Sequence, residues 1–161
     1  MKTKFTFKAF LTSLLLIPFL YLIIVVIPGI IITENDNTPL FPRIFIPSIL
    51  IFSFLIVFGE VRTKCISATI NKNEIVVKRF FGLQVKIYKF SEIEGWKYSH
   101  LTGNGGTYEY LYLYKDGTKV VKISQFYHKN YFKIKNHIQG NFKYLGYEKL
   151  SYTDEFKEIF K

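Results

Sequence analysis

The sequence predicts two membrane-spanning helices followed by an α+β domain of antiparallel strands with a C-terminal helix. Three observations lead to this fold class. Two apolar stretches lie within the first 60 residues, and residues 64–124 alternate between apolar and polar side chains with a period of two. Residues 131–145 then carry apolar side chains at spacings of three and four.

The first apolar stretch, Ala9–Ile32, contains no charged residue. About 20 helical residues cross the hydrocarbon of a bilayer, so this stretch is long enough to span it. Pro18 and Pro28 are expected to kink the helix, which membrane helices tolerate. A cleaved signal peptide is the alternative, because basic residues precede the stretch. However, its apolar core is longer than that of a leader, and no small-residue cleavage site follows.

The second apolar stretch has a shorter uncharged core, from Ile44 to Phe58. Arg43 can extend its cation to the membrane interface, which lengthens the usable segment. The expected helices cover about residues 9–32 and 40–59, so residues 1–62 form a membrane anchor. An interfacial or re-entrant helix is the alternative for the second segment.

Basic residues predict the orientation of these helices. They flank the outer ends of the helix pair: Lys2, Lys4, Lys8, Arg62 and Lys64. The linker over residues 34–39 has no Lys or Arg. By the positive-inside rule, both termini are expected in the cytoplasm, with the chain as an integral protein of the inner (cytoplasmic) membrane.

The remaining residues, 63–161, predict one domain with six short strands and two helices. The strands are expected over residues 64–70, 74–81, 84–90, 93–100, 107–114 and 118–124. Asp116-Gly117 between the last two strands is a strong hairpin signal. A helix is expected over about residues 128–145, and a short terminal helix is expected to begin at Thr153 as its N-cap.

This order of elements resembles bacterial membrane proteins that carry a PH-like domain. Residues 70–83, INKNEIVVKRFFGL, are similar to the first hairpin of that family, and residues 88–96, YKFSEIEGW, to a later strand end and strand entry. The resemblance covers about residues 64–145. It implies a cytoplasmic, antiparallel, partly open β-barrel of seven strands capped by a C-terminal helix, with a seventh strand short or hidden near Leu101. It implies no enzyme and supplies no catalytic residues.

The charge of the chain indicates the kinds of partner that it attracts. The net charge is +10, and Val61–Lys161 carries 18 basic against 9 acidic residues. A domain tethered to a membrane meets anionic lipid constantly, and each cation near such a surface contributes about 1 kcal/mol. Anionic lipid headgroups or an acidic protein are therefore the expected partners, and nucleic acid is not expected. Solubility alone is the alternative explanation of the charge.

Two groups of residues are candidate contact surfaces. The first combines cations and aromatics on one predicted hairpin: Lys78, Arg79, Phe80, Phe81, Lys86 and Lys89. The second is a row of tyrosines on one strand face: Tyr108, Tyr110, Tyr112 and Tyr114. For the hairpin, a solvated face is the alternative. For the tyrosines, the alternative is packing between neighbouring strands.

The sequence contains no recognisable catalytic, cofactor or metal motif. Cys65 is the only cysteine, and the three histidines lack metal-ligand spacing. The glycine loop Gly103–Gly106 lacks the third glycine and following helix of a dinucleotide site. The sequence thus favours a non-enzymatic, membrane-anchored interaction module. The alternative is a small-molecule-binding or enzymatic domain with a pocket between helix and sheet, and transport is a third, less favoured function.

Overall fold

The computed structural model describes residues 1–32, 39–79, 82–103 and 106–160. The first apolar stretch is helical in four consecutive pieces: α1 (Phe7–Leu14), α2 (Leu16–Tyr21), a π-helical turn (Leu22–Val26) and α3 (Ile27–Ile32). The interruptions lie shortly before Pro18 and Pro28. A proline has no N–H and crowds the carbonyl four residues earlier, so the hydrogen-bond ladder breaks at Leu15 and widens into the π-helical turn.

The second apolar stretch forms one helix, α4 (Leu40–Lys64). The chain therefore has two helices long and apolar enough to cross a membrane, of 24 and 25 residues. At 1.5 Å per residue, 24 residues extend about 36 Å, against a hydrocarbon thickness of about 30 Å. α1 and α2 pack along α4. Because α4 runs past the expected end near residue 59, its last turn reaches into the following domain.

The described residues of that domain form two sheets and two α-helices. The first sheet is antiparallel, in the order β1 (Ser67–Ile70), β2 (Glu74–Arg79) and β3 (Gln84–Lys89). The second contains the antiparallel strands β4 (Gly95–Gly103), β5 (Gly106–Lys115) and β6 (Thr118–Ser124), together with β7 (Tyr144–Tyr147). Its order is β6-β5-β4-β7, and β7 runs parallel to β4. The helices are α5 (Tyr131–Asn141) and α6 (Tyr152–Ile159).

The coarse prediction of two apolar helices, antiparallel strands and a C-terminal helix is confirmed, and all six predicted strands are present. The position expected for a seventh strand was wrong, since Leu101 lies within β4 and the additional strand, β7, follows α5. α5 is shorter than predicted because Phe142 adopts an extended conformation and leads into β7. The N-cap of α6 is Ser151 rather than Thr153, and it forms a reciprocal capping box with Asp154.

The main core lies between the two sheets and α5. Leu111 and Leu113 of β5 are fully buried there, as are Ile134 and Ile138 of α5. Ile75 and Val77 contribute the facing surface of the first sheet. The alternation of β5 therefore places its leucines toward this core and its tyrosines on the opposite face.

The tyrosines on the other face of β5 do not form an exposed contact surface. Tyr110, Tyr112 and Tyr114 are 5%, 0% and 7% exposed, and Tyr108 is half-buried. They form a second core with Leu150, in the segment that leads into α6. Both faces of the second sheet are thus covered. A strand pattern alone does not distinguish a tyrosine row that faces water from one that lies beneath another element.

The first six residues form an extended arm along the edge of β1. Thr3 N donates to the carbonyl of Ala68 (2.9 Å), and Ile70 N donates to the carbonyl of Met1 (2.6 Å). On its other side, the arm is bonded to the segment after β6, where Asn130 bridges Lys4 N (2.7 Å) and the carbonyl of Lys2 (2.8 Å). The arm therefore satisfies an edge strand that would otherwise present unpaired backbone groups.

Gly59 is expected to be essential for the docking of α6 on α4. A Cβ added at Gly59 would lie 2.2 Å from Cγ2 of Ile159 and 2.9 Å from its carbonyl oxygen. Gly59→Ala should lower the free energy of unfolding by about 1–3 kcal/mol, because backbone must move to relieve the clash. It should also increase hydrogen exchange in α6.

Gly140→Ala is the matched control, because a Cβ at this helical glycine meets nothing within 4 Å. Alanine there should leave stability unchanged or raise it by up to about 1 kcal/mol. Equal effects of the two alanines on the unfolding midpoint and on exchange in α6 would contradict the proposed packing.

Candidate functional site

The last turn of α4 carries a buried cation between two carboxylates. Lys64 Nζ lies 2.6 Å from Oε1 of Glu60 in its own helix and 2.5 Å from Oε1 of Glu155 in α6. Its side chain is only 6% exposed. The hydroxyl of Tyr127 donates to Glu60 and that of Tyr110 donates to Glu155, each at 3.0 Å. This arrangement connects α4, β5 and α6 through one continuous set of charge-assisted bonds.

A second group of ion pairs lies on the face of β6 that is continuous with the tyrosine face of β5. Lys122 and Lys119 contact Glu158 of α6 at 2.6 and 3.2 Å, and Lys119 also contacts Glu148 at 2.5 Å. Burial opposes ionisation of Glu158, but the two ammonium groups outweigh it and hold the pKa of that carboxyl below its ordinary value. The Glu158 carboxylate therefore stays charged, and these ion pairs hold α6 against β6.

The tyrosines beneath α6 remain neutral. Burial raises the pKa of Tyr110 and of Tyr112 far above the ordinary value, and nearby carboxylates add to that effect. Tyr114 donates its hydroxyl proton to Glu148. The hydroxyl of Tyr112 is buried and has no partner among the described residues.

The basic residues predicted on one hairpin lie on both faces of β2 and β3. Cross-strand pairing sets Lys78 opposite Val85 on one face and Arg79 opposite Gln84 on the other. Lys86 shares the face of Arg79, whereas Lys89 shares the face of Lys78 at the far end of β3. Phe80 and Phe81 lie outside the described residues. The candidate cations therefore do not form a single patch.

The β2–β3 turn approaches the first apolar helix. A cleft of about 340 Å³ is lined by Lys78 and Gly82 beside this turn and by Phe10 and Ser13 of α1. Leu83 is 92% exposed at the start of β3. Since Phe10 and Ser13 belong to the uncharged run of the first helix, this end of the hairpin lies at the level where that run begins.

A larger basic cleft lies between the end of α4, the hairpin, β6 and α6. Its volume is about 900 Å³, and five cations line it: Arg62, Arg79, Lys97, Lys119 and Lys122. Glu148 and Glu158 are the carboxylates in its lining, and both pair with Lys119. We call this the basic cleft. Its lining is more positive than negative, so the cleft attracts anions.

A groove between α5 and the second sheet is lined mainly by aromatic side chains. Trp96, Tyr98, Phe142 and Tyr144 line it, and the Trp96 and Tyr144 ring centroids are 4.9 Å apart. The polar members are His100, Glu109, Lys135 and Gln139. The carboxylate of Glu109 lies 2.7 Å from Lys135 Nζ and accepts from the Tyr131 hydroxyl at 2.5 Å. Trp96 Nε1 is buried without a partner among the described residues.

Comparison with known protein families, curated proteins and solved structures finds no match for this chain. The evidence for function is therefore in the side chains themselves. Sequence reasoning identified the hairpin cations, but it missed the pairing of Lys64 and the contribution of Arg62 and Lys97 to the basic cleft. The sequence did contain one signal for the docking of α6, because Glu155 and Glu158 are three residues apart on a short amphipathic helix.

Removal of the Lys64 cation should weaken the attachment of the domain to α4. In Lys64→Met, Glu60 and Glu155 lose their shared cation while they remain buried, so the free energy of unfolding should fall by about 3–5 kcal/mol. Lys157→Met is the matched control on the exposed side of α6, and it should change stability by less than about 0.5 kcal/mol.

A triple variant separates charge imbalance from loss of packing. When Glu60→Gln and Glu155→Gln are added to Lys64→Met, the unpaired charges disappear and much of the lost stability should return. The thermal unfolding midpoint is measured for the full-length Lys64→Met, Lys157→Met and triple variants in detergent. If Lys64→Met were as stable as Lys157→Met, the buried pairing would be refuted.

Proposed function

We propose that this chain is a non-enzymatic, membrane-anchored interaction module whose PH-like domain rests on the cytoplasmic surface of a bacterial inner membrane. Two helices of sufficient length and hydropathy support the anchor. The net charge of +10 and the basic cleft favour contact with an anionic surface. Two antiparallel-rich sheets with a helix against them support a PH-like interpretation, although the position of β7 after α5 departs from the expected order.

One observation carries this proposal: apolar side chains from separate elements are exposed at the level where the apolar helices end. Ile159 of α6 contacts Gly59, the residue after Phe58 in α4. On the outer side of the same helix end, Phe156 and Phe160 are about half exposed, with ring centroids 5.0 Å apart. Exposed aromatics beside an apolar helix end are typical of residues that sit in a membrane interface.

The hairpin places Leu83 at a comparable level, because its turn shares a cleft with Phe10 and Ser13 of α1. Leu83 and the aromatics of α6 come from distant parts of the sequence, and their shared level favours one membrane-facing side of the domain. Lys78 and Lys86 flank that turn on opposite faces of the hairpin, where they are available to anionic headgroups.

The N-terminal arm supports the predicted hairpin topology of the two helices. Its backbone bonds to β1 favour a topology in which the start of the first helix and the domain lie on the same side of the membrane. A leader that is cleaved from the protein would leave these bonds unmade, so the arm favours an uncleaved anchor. Together with the distribution of basic residues, this favours both termini in the cytoplasm.

Depth measurements on the full-length protein test the proposal. The two turns at opposite ends of β2 are compared: Leu83→Cys next to the hairpin tip and Lys72→Cys in the β1–β2 turn, both in a Cys65→Ser background. β2 has six residues, which separates the turns by about 20 Å. An environment-sensitive dye at residue 83 should be quenched by nitroxide-labelled anionic lipids, and the same dye at residue 72 should not. Equal quenching at both positions would refute the membrane-facing orientation.

A second candidate function is the binding of a small molecule in the groove between α5 and the second sheet. The observation that favours it is the unpartnered N–H of Trp96, which is 4% exposed in a groove lined by aromatic rings. A ligand with a planar face and an acceptor group would satisfy this donor while it stacks on Tyr98 or Tyr144. This function would use the opposite end of the sheet order from the basic cleft, so the two candidates can be tested independently.

Trp96 is the only tryptophan, so its fluorescence reports on this groove alone. If the groove binds a metabolite, a fractionated bacterial extract should shift the emission of the full-length protein. Gln139→Phe, which fills the groove, should abolish the shift, whereas Asn136→Phe on an exposed part of α5 outside the lining should not. No shift with any fraction, or equal shifts in all three proteins, would exclude this function for the groove.

A further inference from the structure

We propose that the basic cleft binds the headgroup phosphate of an anionic phospholipid, with the guanidinium groups of Arg62 and Arg79 as its principal ligands. This inference rests on the proposed function, since it requires the cleft to face the membrane surface. It goes beyond general attraction to negative charge, because it assigns a defined site to one lipid headgroup.

The charges in the cleft divide into compensated and uncompensated groups. Lys119 and Lys122 are paired with Glu148 or Glu158 at 2.5–3.2 Å. Arg62, Arg79 and Lys97 have no carboxylate within ion-pairing distance among the described residues. Three cations therefore line the cleft without an anionic partner from these parts of the chain.

Each arginine is held by one bond that leaves other N–H groups free for a ligand. Arg62 donates one bond to the carbonyl of Ile159 at 2.9 Å, and Arg79 donates one to the carbonyl of Val120 at 3.2 Å. Backbone carbonyls position these guanidinium groups without neutralising them. Lys97 lies over the ring of Tyr114, with its Nζ 4.7 Å from the ring centroid. The side chains are thus oriented before an anion arrives, which reduces the entropy lost on binding.

Arg79 carries one further donor without a partner among the described residues. This donor is Nε, which is buried. A buried unpaired donor costs about 1–3 kcal/mol, more when charged. Phosphate oxygens match the fork of a guanidinium and accept two of its N–H bonds at once.

The position of the cleft favours a lipid as the source of the phosphate. Arg62 lies four residues beyond Phe58, which corresponds to about 6 Å along α4 from the end of its uncharged run. Lipid phosphates occupy this layer, directly outside the hydrocarbon. The exposed Phe156 and Phe160 of the neighbouring α6 provide apolar surface beside the same site, where acyl chains can pack.

The test uses full-length protein purified in mild detergent and depleted of lipid. Phosphatidylglycerol and phosphatidylcholine with identical acyl chains are titrated, and the bound lipid is counted by native mass spectrometry. Wild-type protein should bind one phosphatidylglycerol at least tenfold more tightly than phosphatidylcholine. Arg62→Gln combined with Arg79→Gln should remove most of this preference, whereas Lys72→Gln combined with Lys89→Gln, which removes the same charge outside the cleft, should retain it.

Charge-conserving variants keep the test decisive if the double glutamine variant does not fold. Arg62→Lys and Arg79→Lys preserve the charge but remove the fork, and each should weaken phosphatidylglycerol binding several-fold. Binding that depends only on total charge, so that all variants with the same charge bind equally, would overturn the assignment.

Inorganic phosphate distinguishes a lipid site from a site for a free anion. If 10 mM phosphate leaves phosphatidylglycerol binding in place, a lipid is the ligand. The lipid assignment fails if phosphate displaces the lipid and also protects lipid-free wild-type protein from thermal unfolding. Quenching at residue 83 identifies which idea is at fault. Intact quenching without headgroup preference overturns only the cleft, whereas loss of quenching overturns the proposed function as well.

Discussion

The buried ammonium of Lys64 is the interaction on which the arrangement of α4 and the following domain depends. A charge removed from water is tolerated only when it is paired and fully hydrogen-bonded. Glu60 supplies one partner from the same helix, but the other, Glu155, belongs to α6 at the end of the chain. The ammonium therefore has both of its carboxylate partners only when α6 is docked, which links the position of the last helix to the buried end of α4.

Several other features follow from this docking. Once α6 lies against α4, it covers the tyrosine face of β5, and Tyr110 becomes a donor to the same carboxylate that pairs with Lys64. The close approach is possible because residue 59 has no side chain. The second sheet is consequently the middle layer of the domain, with an aliphatic core on one side and a tyrosine-rich polar core on the other.

The local elements were predictable because each depends on neighbouring residues. Alternation located six strands, and Asp116-Gly117 marked the β5–β6 turn. The features that the sequence did not predict depend on contacts between distant segments. The tyrosine row was ambiguous because its cover comes from α6. β7 was missed because it has four residues, of which two are exposed tyrosines and one is Gly146, so it carries little periodic signal. Likewise, Arg62, Arg79 and Lys97 are far apart in sequence, so no spacing rule brings them to one cleft, and only the strand register shows that Lys78 and Arg79 face opposite ways.

The N-terminal arm joins segments that lie far apart in the chain, on either side of the two apolar helices. Met1–Thr6 precede both apolar helices in the chain, yet their partner strand β1 follows these helices, and their other partner Asn130 comes later still. In the proposed topology, the arm must wait at the cytoplasmic face until both helices have been inserted. If the first helix had the reverse orientation, the arm would lie on the opposite side of the bilayer from β1, and the edge of β1 would remain unpaired. In the proposed topology, the backbone bonds between the arm and β1 form only when both helices cross the membrane as a hairpin.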